Sequence, residues 1–380
     1  MKKKIYYWGP FIEKVATTKA ILNSASAINQ YSNIYESYII NAVGEWEDIK
    51  KKKNKYLNFI NFKNKFYKKL PRYSFLKSRL SYILIFIKCF TSLKKVLEKN
   101  RPEYLIVHLI VSLPLILFIF YKFRTRLCLR ISGKPKLNFL RKLLWKIASK
   151  NIYKVFSPTQ ETMEILLKNK IFEKNVFVLN DPIIHLKQKT QILFKKKENN
   201  INFVPNNIIM VGRLTKQKNY DLVLETFKEI KNIFPDLYIN IFGEGELRNK
   251  LENKTKLYGI DKQVLFHGYS KNIYYYIKKS RIFILSSLWE DPGFVLIEAA
   301  FNNTLILSSN CESGPKEFLG KNKSGILFEN NSRNDFKEKL LYALTLDKKS
   351  IKEKIHAAKK KVRSYTYFSH FRNLENHLSS

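Results

Sequence analysis

Through the second half of the chain, short apolar runs alternate with segments whose apolar positions recur every three or four residues. Ile208–Val211, Tyr238–Phe242, Val264–His267, Ile282–Leu285, Thr304–Leu307 and Gly325–Phe328 read as buried strands. Tyr220–Asn232, Glu246–Tyr258, Ile273–Ser280, Phe294–Asn302, Pro315–Leu319 and Asp335–Leu346 read as helices. Such alternation predicts a doubly wound parallel sheet, whose ligand lies beyond the C-terminal ends of the strands.

The first half opens in the same way. Ile5–Trp8, Val15–Tyr31 and Tyr38–Val43 make a β-α-β pattern, with a turn at Gly9–Pro10. The run Tyr104–Tyr121 is mostly apolar over 18 residues but holds His108 and Pro114. It divides into a strand at Tyr104–Val107, a turn over His108–Ser112 and a helix with Pro114 near its start, rather than a membrane span. Leu127–Ile131, Lys154–Ser157 and Val176–Leu179 are further strands, and Leu137–Ala148 is a helix. Lys187–Asn207 is polar and lysine-rich, the natural linker. The expected fold is therefore α/β, with two Rossmann-like doubly wound domains facing a cleft. The first spans residues 1–186, the linker 187–207 and the second 208–365, and a C-terminal helix at 366–380 packs back towards the first.

Lys50–Leu97 breaks the rhythm. It interleaves lysines with Tyr56, Phe59, Phe62, Phe66, Tyr67, Tyr73 and Phe75, and Leu76, Leu80, Ile83 and Ile87 share one helical face. Charge sharpens that contrast. The chain carries a net +39, and residues 1–200 hold 41 Lys and Arg against 12 Asp and Glu. Residues 51–100 alone have 15 basic groups and one acid, Glu98. A segment of this kind can bind single-stranded nucleic acid, lie on an anionic membrane, or be a solvated face in a lysine-rich protein.

Cys89, Cys128 and Cys311 are scattered without a pair motif, which argues against a disulfide framework or a cysteine metal site and for a reducing compartment. The basic Met1–Lys4 leads into an apolar run too short for a signal core, so no signal peptide is expected.

The densest chemistry lies in Ile284–Phe301. Asp291 followed by Pro292 reads as an N-cap carboxylate and a first helical residue, and Gly293 allows close backbone approach. The helix's first N–H groups suit an anion. Glu298 has Phe294, Val295, Phe301 and Asn302 as its helical neighbours, so its carboxylate lies on a largely apolar face and needs donors. Glu290 sits in the preceding loop. Gly212-Arg213-Leu214, with Lys218 beyond it, follows the strand Ile208–Val211, and its cations suit a diphosphate. Gly243-Glu244-Gly245 follows another strand but has Arg248 where a dinucleotide fold has its third glycine, so it reads as a turn that admits a ligand to the backbone. Gly314–Lys321 misses the P-loop spacing, and no Asp-x-Asp pair or His/Cys cluster is present to hold a metal.

Together these residues resemble the family-4 glycosyltransferases, retaining enzymes of the GT-B fold, across about residues 205–330. The resemblance rests on Gly212-Arg213-Leu214 with Lys218, Phe242-Gly243-Glu244-Gly245, the His267-Gly268 turn, Glu290-x7-Glu298 and Gly314-Pro315-x-Glu317. It implies that Arg213 and Lys218 hold the donor diphosphate, that Glu290 contacts the donor sugar and that Glu298 takes the ribose diol. It also implies that Gly212, Gly243, Gly245, His267, Asp291 and the N–H groups of Gly293, Phe294 and Val295 complete the donor side. In the first half the match is looser: Gly9-Pro10-Phe11 stands where many members carry a Gly-Gly loop, and His108 is the candidate for the family's active-site histidine. Arg130 is a further candidate for the acceptor side. The expected reaction moves a hexose or N-acetylhexosamine from a nucleotide diphosphate sugar, a UDP-sugar by preference, with retention and no cofactor or metal; the alternatives are a nucleotide-sugar epimerase of the same fold, which the Glu290 and Glu298 pair would serve equally well, and a basic nucleic-acid-binding module. The expected acceptor is a lipid-linked glycan. The enzyme is expected to be cytoplasmic and peripheral on the inner face of the membrane, with no nucleic-acid partner.

Overall fold

A computed structural model describes residues 2–13, 16–51, 54–63, 65–71, 75–133, 135, 137–172, 175–186 and 201–380. The chain divides into two units, Met1–Pro182 with Tyr367–Ser380, and Ile183–Thr366. Of the lysine-rich stretch 187–207, residues 187–200 lie outside the described ones. Ile183, Ile184, Ile201 and Phe203 are buried in the second unit's own core.

The first unit is built on β1 (Lys3–Trp8), β2 (Tyr35–Asn41), β3 (Asn58–Asn61), β4 (Tyr104–Val107), β5 (Arg126–Arg130), β6 (Ile152–Ser157) and β7 (Val176–Val178). All pair in parallel, in the order β3-β2-β1-β4-β5-β6-β7. Both faces are covered, as a parallel sheet requires. Tyr6 and Trp8 of β1 pack on one face and Ile5 and Tyr7 on the other. Helices Phe75–Asn100, Ser112–Phe120 and Phe139–Ala148 cover the Trp8 face, whereas Ala16–Tyr31 and Tyr367–Ser379 cover the Tyr7 face.

Strand β3 was not expected from the sequence. Its four residues, Asn-Phe-Ile-Asn, are short and polar at both ends, which only an edge position tolerates. The following helix turns Ile85, Cys89, Leu93 and Leu97 into the core. Leu76, Leu80, Ile83 and Ile87 lie on its exposed side. All three cysteines are free and buried. Among the described residues no helix is long and apolar enough to cross a membrane.

The second unit is a six-stranded parallel sheet of β8 (Ile208–Val211), β9 (Ile239–Phe242), β10 (Val264–Gly268), β11 (Ile282–Leu285), β12 (Leu305–Ser309) and β13 (Ile326–Phe328), in the order β10-β9-β8-β11-β12-β13. Ile208, Met210, Ile239 and Ile284 face the helices Tyr220–Ile230 and Arg333–Thr345. Ile209, Phe242, Phe283 and Ile306 face the helices Phe294–Phe301 and Lys348–Val362. The strand order reverses between β8 and β11, and in the first unit between β1 and β4. Loops leaving such a pair diverge to opposite faces, and the gap they open is where open α/β sheets bind ligands.

Candidate active site

In the second unit the loops after β8 and β9 touch backbone to backbone. Gly212 N–H donates to Phe242 O at 2.9 Å and Leu214 N–H to Glu244 O at 3.0 Å. A Cβ on Gly243 would lie 1.9 Å from Gly212 O, and one on Gly245 would lie 2.4 Å from Leu214 O. The space these two glycines leave open is therefore filled by the neighbouring loop, not held for a ligand. Their requirement for glycine is a packing requirement, which corrects the reading of that turn as a ligand approach.

The loop after β8 is fastened to the loop after β11 at several points. Leu288 N–H donates to Gln217 O at 2.8 Å, Gln217 Nε2 to Trp289 O at 2.8 Å, and Ser286 Oγ to Lys218 O at 2.8 Å. These bonds bring Lys218 and Glu290 together as an ion pair, in which Lys218 Nζ donates to Glu290 Oε1. Ser287 Oγ donates to the same oxygen at 2.6 Å, and the second carboxylate oxygen takes neither bond. Glu290 is 9% exposed, so its charge depends on these donors. Tyr220 lies beneath, its hydroxyl donating to Gly212 O at 3.1 Å. Burial, and then the charge of Glu290, hold that phenol well above its ordinary pKa. Arg213 is exposed at the head of the same loop.

Gly293 caps the next helix in the left-handed region, at φ +84°, which favours glycine. The helix starts at Phe294, so Pro292 lies outside it and Asp291 is not its N-cap. The Asp-Pro start signal is thus displaced by the left-handed glycine behind it. The first intrahelical bond runs from Leu296 N–H to Gly293 O at 3.1 Å, beyond the N–H groups of Phe294 and Val295. Four residues along, Glu298 is 5% exposed and accepts from the Tyr274 hydroxyl at 2.5 Å. The donor that this carboxylate needed is supplied by the neighbouring helix, Ile273–Lys279. The ring of His267 packs 4.6 Å from that of Phe242, and its Nε2 lies 2.9 Å from the Oδ1 of the fully buried Asn240. That seats it on the face of the sheet.

The first unit places Gly9 and His108 at its own reversal point. A Cβ on Gly9 would meet Ile21 Cδ1 at 2.3 Å, so Gly9 is set by packing against the helix Ala16–Tyr31. His108 N–H donates to Trp8 O at 2.8 Å, which continues the β1–β4 ladder by one residue. The ring is buried, and burial, followed by the charges of Arg130 and His370, holds its pKa well below the ordinary value. It is a neutral imidazole at neutral pH.

Arg130 is occupied. It donates to Asp181 Oδ1 at 2.7 Å, to Ile131 O at 2.6 Å and to Phe156 O at 3.3 Å, and it is 3% exposed. This is a structural ion pair locking β5 to the segment after β7, and it corrects the assignment of Arg130 to the acceptor side. Beside it, His370 Nδ1 donates to Asn180 O at 2.7 Å, and its Nε2 lies 2.7 Å from Ser24 Oγ, which lies 2.8 Å from Tyr7 Oη. Burial pushes His370 down to about 4. Asp181, His370 and Tyr274 carry no functional signal in the sequence.

Residues 191–362 match the family described as glycosyl transferases group 1. An uncharacterized glycosyltransferase of Methanocaldococcus jannaschii is 28% identical over 315 residues, which cover 77% of this chain and 73% of that protein. The UDP-Gal:alpha-D-GlcNAc-diphosphoundecaprenol alpha-1,3-galactosyltransferase of Escherichia coli is 35% identical over 131 residues, 33% of each protein. A glycosyltransferase structure from Rickettsia africae superposes with a TM-score of 0.75 at 17% identity, covering 100% of this chain and 98% of the other, a likeness of fold. Residues 191–362 thus carry the group 1 glycosyltransferase pattern, and the two parallel α/β sheets share the GT-B fold of that solved glycosyltransferase.

Proposed function

We propose that the enzyme moves a hexose or N-acetylhexosamine from a UDP-sugar to a lipid-linked glycan, with retention of the anomeric configuration, in the building of a surface polysaccharide or glycolipid. The observation that carries this reading is the Lys218–Glu290 pair, held where β8 and β11 part and beside the start of the helix Phe294–Phe301. A diphosphate there meets the ammonium of Lys218, the guanidinium of Arg213 and the N–H groups of Phe294 and Val295. The second oxygen of Glu290 is left for the hydroxyls of the donor sugar, and the ribose diol is assigned to Glu298. The E. coli relative supports the donor and the acceptor, since its name gives UDP-Gal and a diphosphoundecaprenol-linked sugar.

The barrier is the departure of the diphosphate, which gathers charge as the anomeric C–O bond lengthens. Cations and helix dipoles fixed in place beforehand stabilise that charge without reorganising. The acceptor oxygen bonds to the anomeric carbon on the face the phosphate leaves, and its proton passes to the departing phosphate oxygen. No carboxylate nucleophile is then required. Two side-chain cations supply the field that a divalent ion otherwise gives, so transfer proceeds without a metal. The acceptor side belongs to the first unit's rim, around Gly9 and His108. The protein works in the cytoplasm, peripheral on the inner face of the membrane, where anionic lipid and not nucleic acid answers its positive charge.

A thermal-shift panel of nucleotide sugars against the wild type and Glu298→Ala tests the donor. A UDP-sugar should raise the wild-type melting temperature and have a much smaller effect on the variant. If no nucleotide sugar stabilises the wild type, the donor assignment fails. Determining the anomeric configuration of the product tests retention.

A further inference from the structure

We propose that the first unit enters an anionic bilayer through two helices together, the first three turns of Phe75–Asn100 and the helix Phe139–Ala148. The inference rests on the membrane reading above and identifies the surface that carries it.

Both helices have two apolar faces. The inner ones, with Ile85, Cys89 and Leu93 on the first and Trp145 and Ala148 on the second, lie in the core on the Trp8 face of the sheet. The outer face of the first helix presents Leu76, Leu80, Ile83 and Ile87, exposed by 78%, 48%, 55% and 64%. The outer face of the second presents Phe139, Leu140, Leu143 and Ile147, exposed by 78%, 73%, 47% and 48%. Single exposed apolar side chains are ordinary on a soluble protein, but two helical stripes of four, on the helices that flank Ser112–Phe120 over the same face of the sheet, are not.

The surrounding charge identifies the occupant. Lys77, Arg79 and Lys88 stand beside the first stripe, and Arg141, Lys142 and Lys146 beside the second. The second helix has no acid, and the first has only Glu98 at its far end. An apolar stripe flanked by cations matches acyl chains below anionic headgroups, with the lysine stems bridging the two layers. Position agrees with chemistry. Each helix runs down from the C-terminal edge of a parallel sheet, so the start of each lies at the edge where His108 follows β4. A lipid-linked acceptor would arrive at that edge from the bilayer.

Flotation of the full chain with vesicles tests this. Vesicles of phosphatidylglycerol mixed with phosphatidylethanolamine are compared with phosphatidylcholine, at low and high salt. The wild type should float with the anionic vesicles and keep part of its binding at high salt, where screening removes adsorption by charge alone. Leu140→Glu with Leu143→Glu, and separately Leu80→Glu with Ile83→Glu, should each lower the bound fraction by roughly tenfold or more. Because these side chains face solvent, both variants should keep the wild type's melting temperature and its shift with a UDP-sugar. Variants that bind anionic vesicles as the wild type does would overturn the insertion surface while leaving membrane association standing. A wild type that ignores anionic vesicles overturns both. A dimeric wild type made monomeric by Leu140→Glu with Leu143→Glu, with vesicle binding unchanged, would instead assign the stripe to a second copy of the chain.

Discussion

The Tyr274 hydroxyl donates to Glu298 at 2.5 Å, from one helix to the next, so the carboxylate's orientation depends on a residue that need not touch the substrate. Tyr274→Phe removes one charge-assisted hydrogen bond and keeps the ring. It should weaken donor binding by about 1.5–3 kcal/mol, visible in the KM for the donor or in titration calorimetry, with kcat less affected. Glu298→Ala should cost at least as much. A Tyr274→Phe enzyme with wild-type donor affinity would remove Tyr274 from any positioning role.

Lys218 and Glu290 should not respond alike. Removing the ammonium leaves a buried carboxylate short of a donor and also takes a cation from the leaving group. Lys218→Met should therefore lower both the melting temperature and kcat, the latter by about a hundredfold or more. Glu290→Gln keeps the shape, the bond from Ser287 and the cation. It should lower kcat with a smaller effect on stability. Unfolding curves and steady-state kinetics on the two variants separate the roles.

Gly243 is a packing glycine, so its substitution should damage the fold rather than one binding contact. Gly243→Ala puts a methyl 1.9 Å from a backbone oxygen that cannot swing aside. The predicted loss is about 1–3 kcal/mol of stability, seen as a lower denaturant midpoint whether or not donor is present. A variant of wild-type stability that had lost donor affinity would restore the ligand-approach reading.

Two buried groups give the first unit opposing pH responses. His370 is held down at about 4, below its unfolded value, so its share of stability is complete above about pH 6.5 and is lost as pH falls through 4. Glu45, whose carboxylate accepts the N–H groups of Ala42 and Val43, is pushed up to about 7 by burial. Its share is complete below about pH 4.5 and is lost as pH rises through 7. Each amounts to about 3 kcal/mol, and in the wild type they offset one another across this range. Relative to wild type, Glu45→Gln should lose stability when taken from pH 7 to 4.5, and His370→Gln should gain it. Denaturant midpoints over that interval read both.

Much of this was legible in the chain. Strands β4, β8 and β11 begin and end where their apolar runs do, because a strand buried on both faces leaves no polar position inside it. Glu290 and Glu298 stood out because a carboxylate next to an apolar helix must be answered by something. What answered them was not legible. Tyr274 looks like any core aromatic until the crossing of two helices brings its hydroxyl within reach. Arg130 misled for the converse reason: its place at the end of a strand suggested a ligand, and its partner Asp181 lies 51 residues away. The glycines after β9 were recognised as special, but whether a missing Cβ makes room for a ligand or for another loop is a fact of packing alone.

The helix Tyr367–Ser379 places His370, Phe371, Leu374 and Leu378 among the side chains that bury Tyr7 and Ile21. The first unit is therefore discontinuous, and its core is completed by residues translated after the whole of the second unit. On the ribosome, residues 1–182 emerge with one flank of their sheet still open to water, while the later-made unit can close first. The usual N-to-C order of domain folding is thus reversed for the final step. During that interval the nascent first half is the vulnerable species, and it is there that chaperones or proteases would find the chain.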